Sequence, residues 1–304
     1  MAKRWYCFFL LGALPWASAY GKDLHGSLAE LPNPGFALFL EAMAEVYEEG
    51  SLSFARYPFP RSIQNIVKGK KDFHMPLLKN PLLPEDSLPF RYSTASFAEV
   101  TFVIYSHKKN PISRHDLNKV TYKLQQRHLK LLDFSKEETN KMTAVLGKTF
   151  KRWNAFKASY YGALGVSEQG QSKDLTRYTA NLQRLSYQMF PYRIGTEPNH
   201  TVFFDFPTIK RPNLTTSLKS VNMGRLDGYI LAQEECDAVV RSKKLHNIYR
   251  EKYDIFEAKF VLHKGPEFEK IDRKISKIIS TLKNTGRFKS LSFAIHRPFD
   301  PWIP

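Results

Sequence analysis

Gly69-Lys70-Lys71-Asp72-Phe73-His74-Met75-Pro76-Leu77 and, 155 positions later, Gly224-Arg225-Leu226-Asp227-Gly228-Tyr229-Ile230-Leu231 are the stretches on which the fold turns. Each follows a short apolar-periodic segment. Pro60 and Arg61 open the first, which carries Ile63, Ile66 and Val67; Ser217, Leu218 and Val221 mark the second. Glycine suits the left-handed turn that ends a helix, and the aspartate can tie down the loop that follows. Both stretches therefore read as helix, glycine stop, basic residue, aspartate and buried strand. Two copies of one such pattern predict two α/β lobes built alike.

A second pair of segments works outward from the first. Phe102-Val103-Ile104 leads to Lys108, and Phe260-Val261-Leu262 leads to Lys264. Both are strand-like runs ended by a polar break, suited to carrying the chain from one lobe to the other and back. After the second run, Ile271, Ile275, Ile278, Ile279 and Leu282 fall on one face of an amphipathic helix closed by Gly286. That helix is expected to cover the first lobe.

The N-terminus reads as an export signal. Met1 to Arg4 is a short basic region, Trp5 to Trp16 is apolar, and Ala17-Ser18-Ala19 offers small residues at a cleavage site. The apolar run is shorter than the roughly 20 residues a membrane-spanning helix needs. A mature chain beginning at Tyr20, soluble, monomeric and periplasmic, is expected. Cys7 lies inside the apolar run, so a lipid-anchored start is not expected. Beyond the signal only Cys236 remains, so the fold depends on its core and not on a disulfide. The formal net charge of +17 would suggest nucleic acid in a cytosolic protein, but no nucleic-acid motif is present. An export signal points instead to an anionic ligand or membrane surface.

With Gly69 to Asp72, Phe90 to Lys108, Gly224 to Asp227 and Phe260 to Gly286 in this order, the chain resembles the periplasmic solute-binding proteins of the amino-acid type (family 3-like) of ABC transporters. The resemblance implies an α/β, two-lobed periplasmic-binding-protein type II fold, with a helical elaboration in the second lobe. It implies a first lobe of residues 20–103 plus 262–304 after the signal peptide 1–19. The second lobe is then 104–261, including a helical insertion over 116–190. The implied function is binding of a small polar solute, amino-acid-like or anionic, by lobe closure, with delivery to an inner-membrane transporter or receptor. In the family the segment after the first aspartate-strand carries hydroxyl residues and an arginine for a carboxylate. Here Met75 to Pro81 has neither, so Lys79 or Arg61 is the substitute cation.

Ligands of open α/β sheets lie beyond the carboxyl ends of the strands. That rule selects His74 and Met75 after the first aspartate, and Gln233 and Glu234 after the second. It also selects Thr196, Glu197, Asn199 and His200 after the expected strand Tyr192-Arg193-Ile194. Glu234 is suited to a ligand amine. The alternatives are structural: His74 as a packed, hydrogen-bonded core residue, Arg61 as a helix-start decoration, Asp72 and Asp227 as loop ties. Tyr57, Phe59 and Phe90 can stack on a ligand or fill the core.

The segment 116–190 reads as mostly helical from Leu117, Val120, Leu124 and Leu129. It holds 13 Lys or Arg against 6 Asp or Glu. Its basic face is either a solvated structural surface or a docking surface for anionic lipid or a membrane partner.

Catalytic patterns are thin. No G-x-S-x-G, H-E-x-x-H, paired CxxC or phosphate-binding glycine loop occurs. Glu234 and Glu235 before Cys236 would raise its thiol pKa. His246 and His263 can meet only through the fold. No enzymatic activity, cofactor or metal is expected. The competing readings are an exported enzyme on the same fold and a sensing or scaffold protein without a transporter.

Overall fold

A computed structural model describes residues 23–30, 33–81, 85–131 and 190–304. The expected signal peptide and most of the basic insertion lie outside these residues. In chain order come β1 (Leu24–Ala29), α1 (Gly35–Val46), β2 (Leu52–Tyr57), α2 (Phe59–Val67), β3 (Phe73–Leu78), β4 (Phe90–His107) and α3 (Arg114–Leu131). There follow β5 (Ile194–Thr196), β6 (Ile209–Lys210), α4 (Leu214–Asn222), β7 (Gly228–Ala232), α5 (Gln233–Ser242), β8 (Ile248–His263), α6 (Phe268–Asn284) and α7 (Arg287–Ile295). The chain is a mixed α/β protein. No described helix is long and apolar enough to cross a membrane.

The strands form one eight-stranded sheet, ordered β2-β1-β3-β8-β4-β7-β5-β6. Taken from either edge, the order repeats. On one side β1 pairs in parallel with β2 and β3, and β3 then meets β8 antiparallel. On the other, β5 pairs in parallel with β6 and β7, and β7 meets β4 antiparallel. The two halves are joined by β4 and β8, which pair from Phe90↔His263 to His107↔Ile248. The expected crossing runs 102–104 and 260–262 are the anchored parts of these strands. Phe102 pairs with Ala232 of β7, whereas Leu262 pairs with Phe73 of β3. The crossing lies between them, near Val100↔Phe256 and Thr101↔Ile255, where β4 and β8 have only each other.

The duplicated loops match atom for atom. Gly69 has φ +63° and Gly224 φ +69°. Behind Gly69, Lys70 N–H donates to Asn65 O and Gly69 N–H to Ile66 O; behind Gly224, Arg225 N–H donates to Ser220 O and Gly224 N–H to Val221 O. This paired bonding satisfies the last carbonyls of each helix and requires the positive φ that glycine adopts at no steric cost. The aspartates then do one job twice. Asp72 Oδ2 accepts the His25 N–H at 2.8 Å, and Asp227 Oδ2 accepts the Arg193 N–H at 2.7 Å. Each acid thus fixes the start of the neighbouring parallel strand.

Apolar side chains from both halves merge into one core. Phe36, Phe39, Leu40 and Met43, at helical spacing on α1, are all buried against the sheet. The same cluster continues through Phe97, Phe102 and Phe256 to Phe204, Phe206 and Ile230. Burying a phenylalanine side chain stabilises by about 1.5–3 kcal/mol. The isoleucine face of α6 is buried as the sequence predicts, and Asp272 on that helix accepts Thr94 N–H at 2.8 Å. Two sequence readings shift. Strand β5, second from the edge, begins at Ile194 and not Tyr192, and Thr196 is its last residue. Residues 296–304, expected with the first lobe, are held instead by α5 and by Arg250 of β8 in the other half, as the polar contacts below describe.

If the two aspartates are equivalent ties, Asp72→Ala and Asp227→Ala should each cost about 0.5–1.5 kcal/mol, the net worth of one hydrogen bond. Urea unfolding of the two variants should give similar losses; a loss in only one would refute the equivalence.

Candidate functional site

Where β5 and β7 end, a cluster of polar side chains gathers beside Phe102 of β4. Helix α5 begins immediately after β7, so Gln233, Glu234 and Glu235 form its first turn. Thr196 is buried, its hydroxyl donating to Ile230 O at 2.8 Å. Glu197 lies 3.3 Å from His200 Nδ1, which holds its carboxyl below the usual range against the opposing effect of burial. The His200 ring meets Phe102 edge-on at 5.4 Å, and Asn199 is exposed. The Glu235 carboxyl is pushed up by desolvation and by Glu197, although the residue as a whole retains surface area. Beneath them the Tyr229 hydroxyl is fully buried without a hydrogen-bond partner among the described residues. Burial, then Cys236, Glu197 and Glu235, push its phenol well up. A tyrosine in the middle of an apolar strand was the sequence signal for this group.

Gln233 and Glu234 do not face an open cleft. Gln233 Nε2 donates to Arg297 O at 3.1 Å and Pro298 O at 2.8 Å. Glu234 accepts the Arg297 N–H at 2.6 Å and lies 3.2 Å from His296 Nδ1. Burial raises the Glu234 carboxyl, but these partners outweigh it and the net shift is downward. Both residues grip the C-terminal tail. A buried ion pair holds the tail further on. Arg250 and Asp237 pair, with the Arg250 side chain 2% exposed. Arg250 Nη1 also donates to Asp300 O at 2.9 Å and Trp302 O at 2.8 Å, while Trp302 Nε1 donates to Asp237 at 2.9 Å. Neither the pair nor the tail was legible as a site in the sequence.

The first-half candidates are dispersed. Arg61 is exposed, its guanidinium 5.6 Å from the Tyr57 ring centre. Lys79 pairs with Glu85 at 2.6 Å. Met75 is core. His74 is fully buried in a polar chain that also takes in Ser27 and Ser62. Pro76 O can only accept, so His74 Nε2 carries the proton, at 3.0 Å. Nδ1 must then accept from the Ser62 hydroxyl at 2.6 Å, and Ser62 in turn accepts from Ser27. Burial drives the His74 pKa down to about 4. The imidazole is a neutral strut beneath α2, not a cleft residue. Across the halves, Asn80 Nδ2 donates to Val202 O at 3.0 Å.

A groove of about 440 Å³ crosses the ribbon on one face. Its floor includes Glu99, Thr101 and Ile255 of the ribbon. Phe288 and Phe293 of α7 form one wall, and Pro298 and Phe299 of the tail the other. His296 also lines it, so the grip of Glu234 on His296 shapes this wall.

Chemistry elsewhere is muted. Cys236 is wholly buried, and its thiol is pushed well up first by desolvation and only then by Glu235 and Asp237. Sequence proximity to glutamates therefore supplied the right direction with the smaller cause. His246 lies just before β8, and His263 ends it, so the strand holds them apart. Among the described residues no three His, Cys, Asp or Glu side chains group as metal ligands.

No protein-family profile and no curated protein sequence matches the chain. Solved structures do. A histidine kinase sensor domain with similarity to periplasmic binding proteins is 11% identical with a TM-score of 0.48, covering 90% of this chain and 95% of that one. A probable amino-acid ABC transporter extracellular-binding protein from Bacillus subtilis is 11% identical, with a TM-score of 0.48 and coverage of 90% and 96%. An amino acid ABC transporter substrate-binding protein from Streptococcus pneumoniae, bound to L-arginine, is 11% identical, with a TM-score of 0.45 and coverage of 91% and 97%. The chain has an α/β fold of two like halves joined by β4 and β8, as its strand order and duplicated loop ties show.

Because His74 stays neutral when folded, acid favours the unfolded chain. Unfolded histidine takes a proton near pH 6.5, whereas folded His74 waits until about 4. Stability is complete above pH 6.5 and should fall by about 3 kcal/mol on the way to pH 4 from this group alone. Urea unfolding across that range should show this loss in the wild type and a flatter profile in His74→Gln; parallel profiles would exclude the assignment.

Proposed function

We propose that this chain is an exported protein that binds a small polar solute between its two halves. The observation that carries the reading is the two-stranded crossing near Val100↔Phe256, which leaves the halves joined in the sheet by β4 and β8 alone. A two-strand junction bends at low cost, and bending changes the gap between the halves. Closure is then favoured because the closed state binds the solute better. The junction lies a few residues from the expected lobe boundaries at 103 and 262.

The solute-facing residues we favour are those of the expected set that lie between the halves or retain surface: His200, Asn199 and Arg61, with Glu197 and Glu235 beside them. Gln233 and Glu234 contribute indirectly by fixing the tail. The solute-binding proteins among the similar structures lend the reading a precedent, as does their work with transporters or a kinase sensor. On this reading the protein is monomeric and periplasmic after cleavage of residues 1–19. Its closed form presents a new surface to an inner-membrane transporter or receptor.

A thermal-shift screen of periplasmic metabolites, followed by small-angle scattering, tests the proposal. A true ligand at a hundred times its Kd should stabilise by about 2.7 kcal/mol and reduce the radius of gyration. Stabilisation without compaction, or no stabilising solute, would count against it.

A further inference from the structure

The groove over the ribbon has an unbalanced set of charges. Lys252, Lys283 and Lys289 line it against a single carboxylate, Glu99. None of these lysines has an ion-pair or hydrogen-bond partner among the described residues. Lys283 and Lys289 lie over the rings of Phe288 and Phe293, at 4.9 and 5.6 Å. Their neighbours on α6 and α7 differ. Lys270 pairs with Glu267, Lys274 and Lys277 with Glu49, and Arg287 with Glu45. Of the cations on these helices away from the groove, only Arg273 has no acid partner among the described residues, and its Nε donates to Glu269 O at 3.2 Å.

The groove is also apolar. Phe293 is 42% exposed and Ile255 39% exposed, and both line it. Large apolar side chains left at the surface of a concavity, with a few convergent charges, are the composition of a small-molecule site. A volume of about 440 Å³ suits a small molecule and is too small for a macromolecular surface. Lysine ammonium groups are point charges on flexible stems and accept carboxylate, phosphate or sulfonate alike.

We infer that this groove binds a small organic anion, its acid group among Lys252, Lys283 and Lys289 and its apolar body against Phe293 and Ile255. The groove shares no residue with His200, Asn199 and Arg61, so the inference adds a second site and goes beyond the closure reading. Because one wall belongs to α7 and the other to the tail held by the opposite half, movement about the ribbon would change the groove's width.

Calorimetric titration of the full chain with 1-naphthaleneacetate, its neutral amide and 1-naphthylethylamine tests the inference. The acid should bind, the amide at least tenfold more weakly, and the amine more weakly still. Lys252→Ala, Lys289→Ala and Phe293→Ala should each lower affinity for the acid roughly three- to tenfold. All three side chains are exposed, so the fold should survive, which circular dichroism checks. Equal binding of acid and amide, preference for the amine, indifference to the lysine substitutions, or no binding of the acid at millimolar concentration would overturn the assignment. Scattering on the same samples separates this from the closure reading. Lysine-dependent binding without compaction supports the groove as a site that acts apart from closure.

Discussion

The antiparallel pairing of β4 with β8 is the constraint on which the rest of the molecule depends. Neither parallel half-sheet is complete without it, because each takes its fourth strand from the far end of the chain's own crossing. β3 is closed by β8, and β7 by β4. The register is therefore shared. A slip of one residue between β4 and β8 would turn Val100, Phe102 and Phe256 away from the core they occupy. Bulges between Tyr92 and Ala98, and between Phe102 and Val103, let the ribbon bend while its anchored ends stay in register. The same strands thus supply both core side chains and the floor of the groove.

A third connection is made outside the sheet. The tail after α7 leaves the first half and is held by the second through Gln233, Glu234, Asp237 and Arg250. Burying the Arg250 charge is costly unless it is both paired and hydrogen-bonded. Asp237 supplies the pairing, and the tail carbonyls of Asp300 and Trp302 supply the bonding. The Trp302 ring also lies 4.5 Å from the Arg250 guanidinium. The interaction is therefore mutual: the tail carbonyls accept from Nη1 of a buried cation, and that cation anchors the tail. The tail and the Asn80–Val202 hydrogen bond thus both tie the halves together outside the sheet.

The repeated supersecondary units were legible because their causes are local. A glycine at a helix end and an aspartate three residues later act on backbone groups a few positions away, so Gly69, Asp72, Gly224 and Asp227 could be read from order and spacing. The α6 isoleucines were legible for a similar reason, since helical periodicity is visible along the chain. The candidate site was less so. The strand-end rule put Thr196 at the end of β5 and Glu234 just past β7, but His74 is the second residue of β3 and lies at its start, and the rule could not say what would pack on any of them. His74 went to a serine chain beneath α2 and Glu234 to the tail. The grouping of Lys252, Lys283 and Lys289 joins a strand and two helices and has no sequence pattern at all.

By itself the sequence determined two α/β units, their glycine stops and aspartate ties, and the buried face of α6, all set by bonding and periodicity within short stretches. The tertiary structure alone decided which polar groups face solvent, which are spent on holding the tail, and where unpaired cations converge. Those outcomes depend on contacts between residues tens to hundreds of positions apart, and burial and charge pairing are properties of the assembled surface.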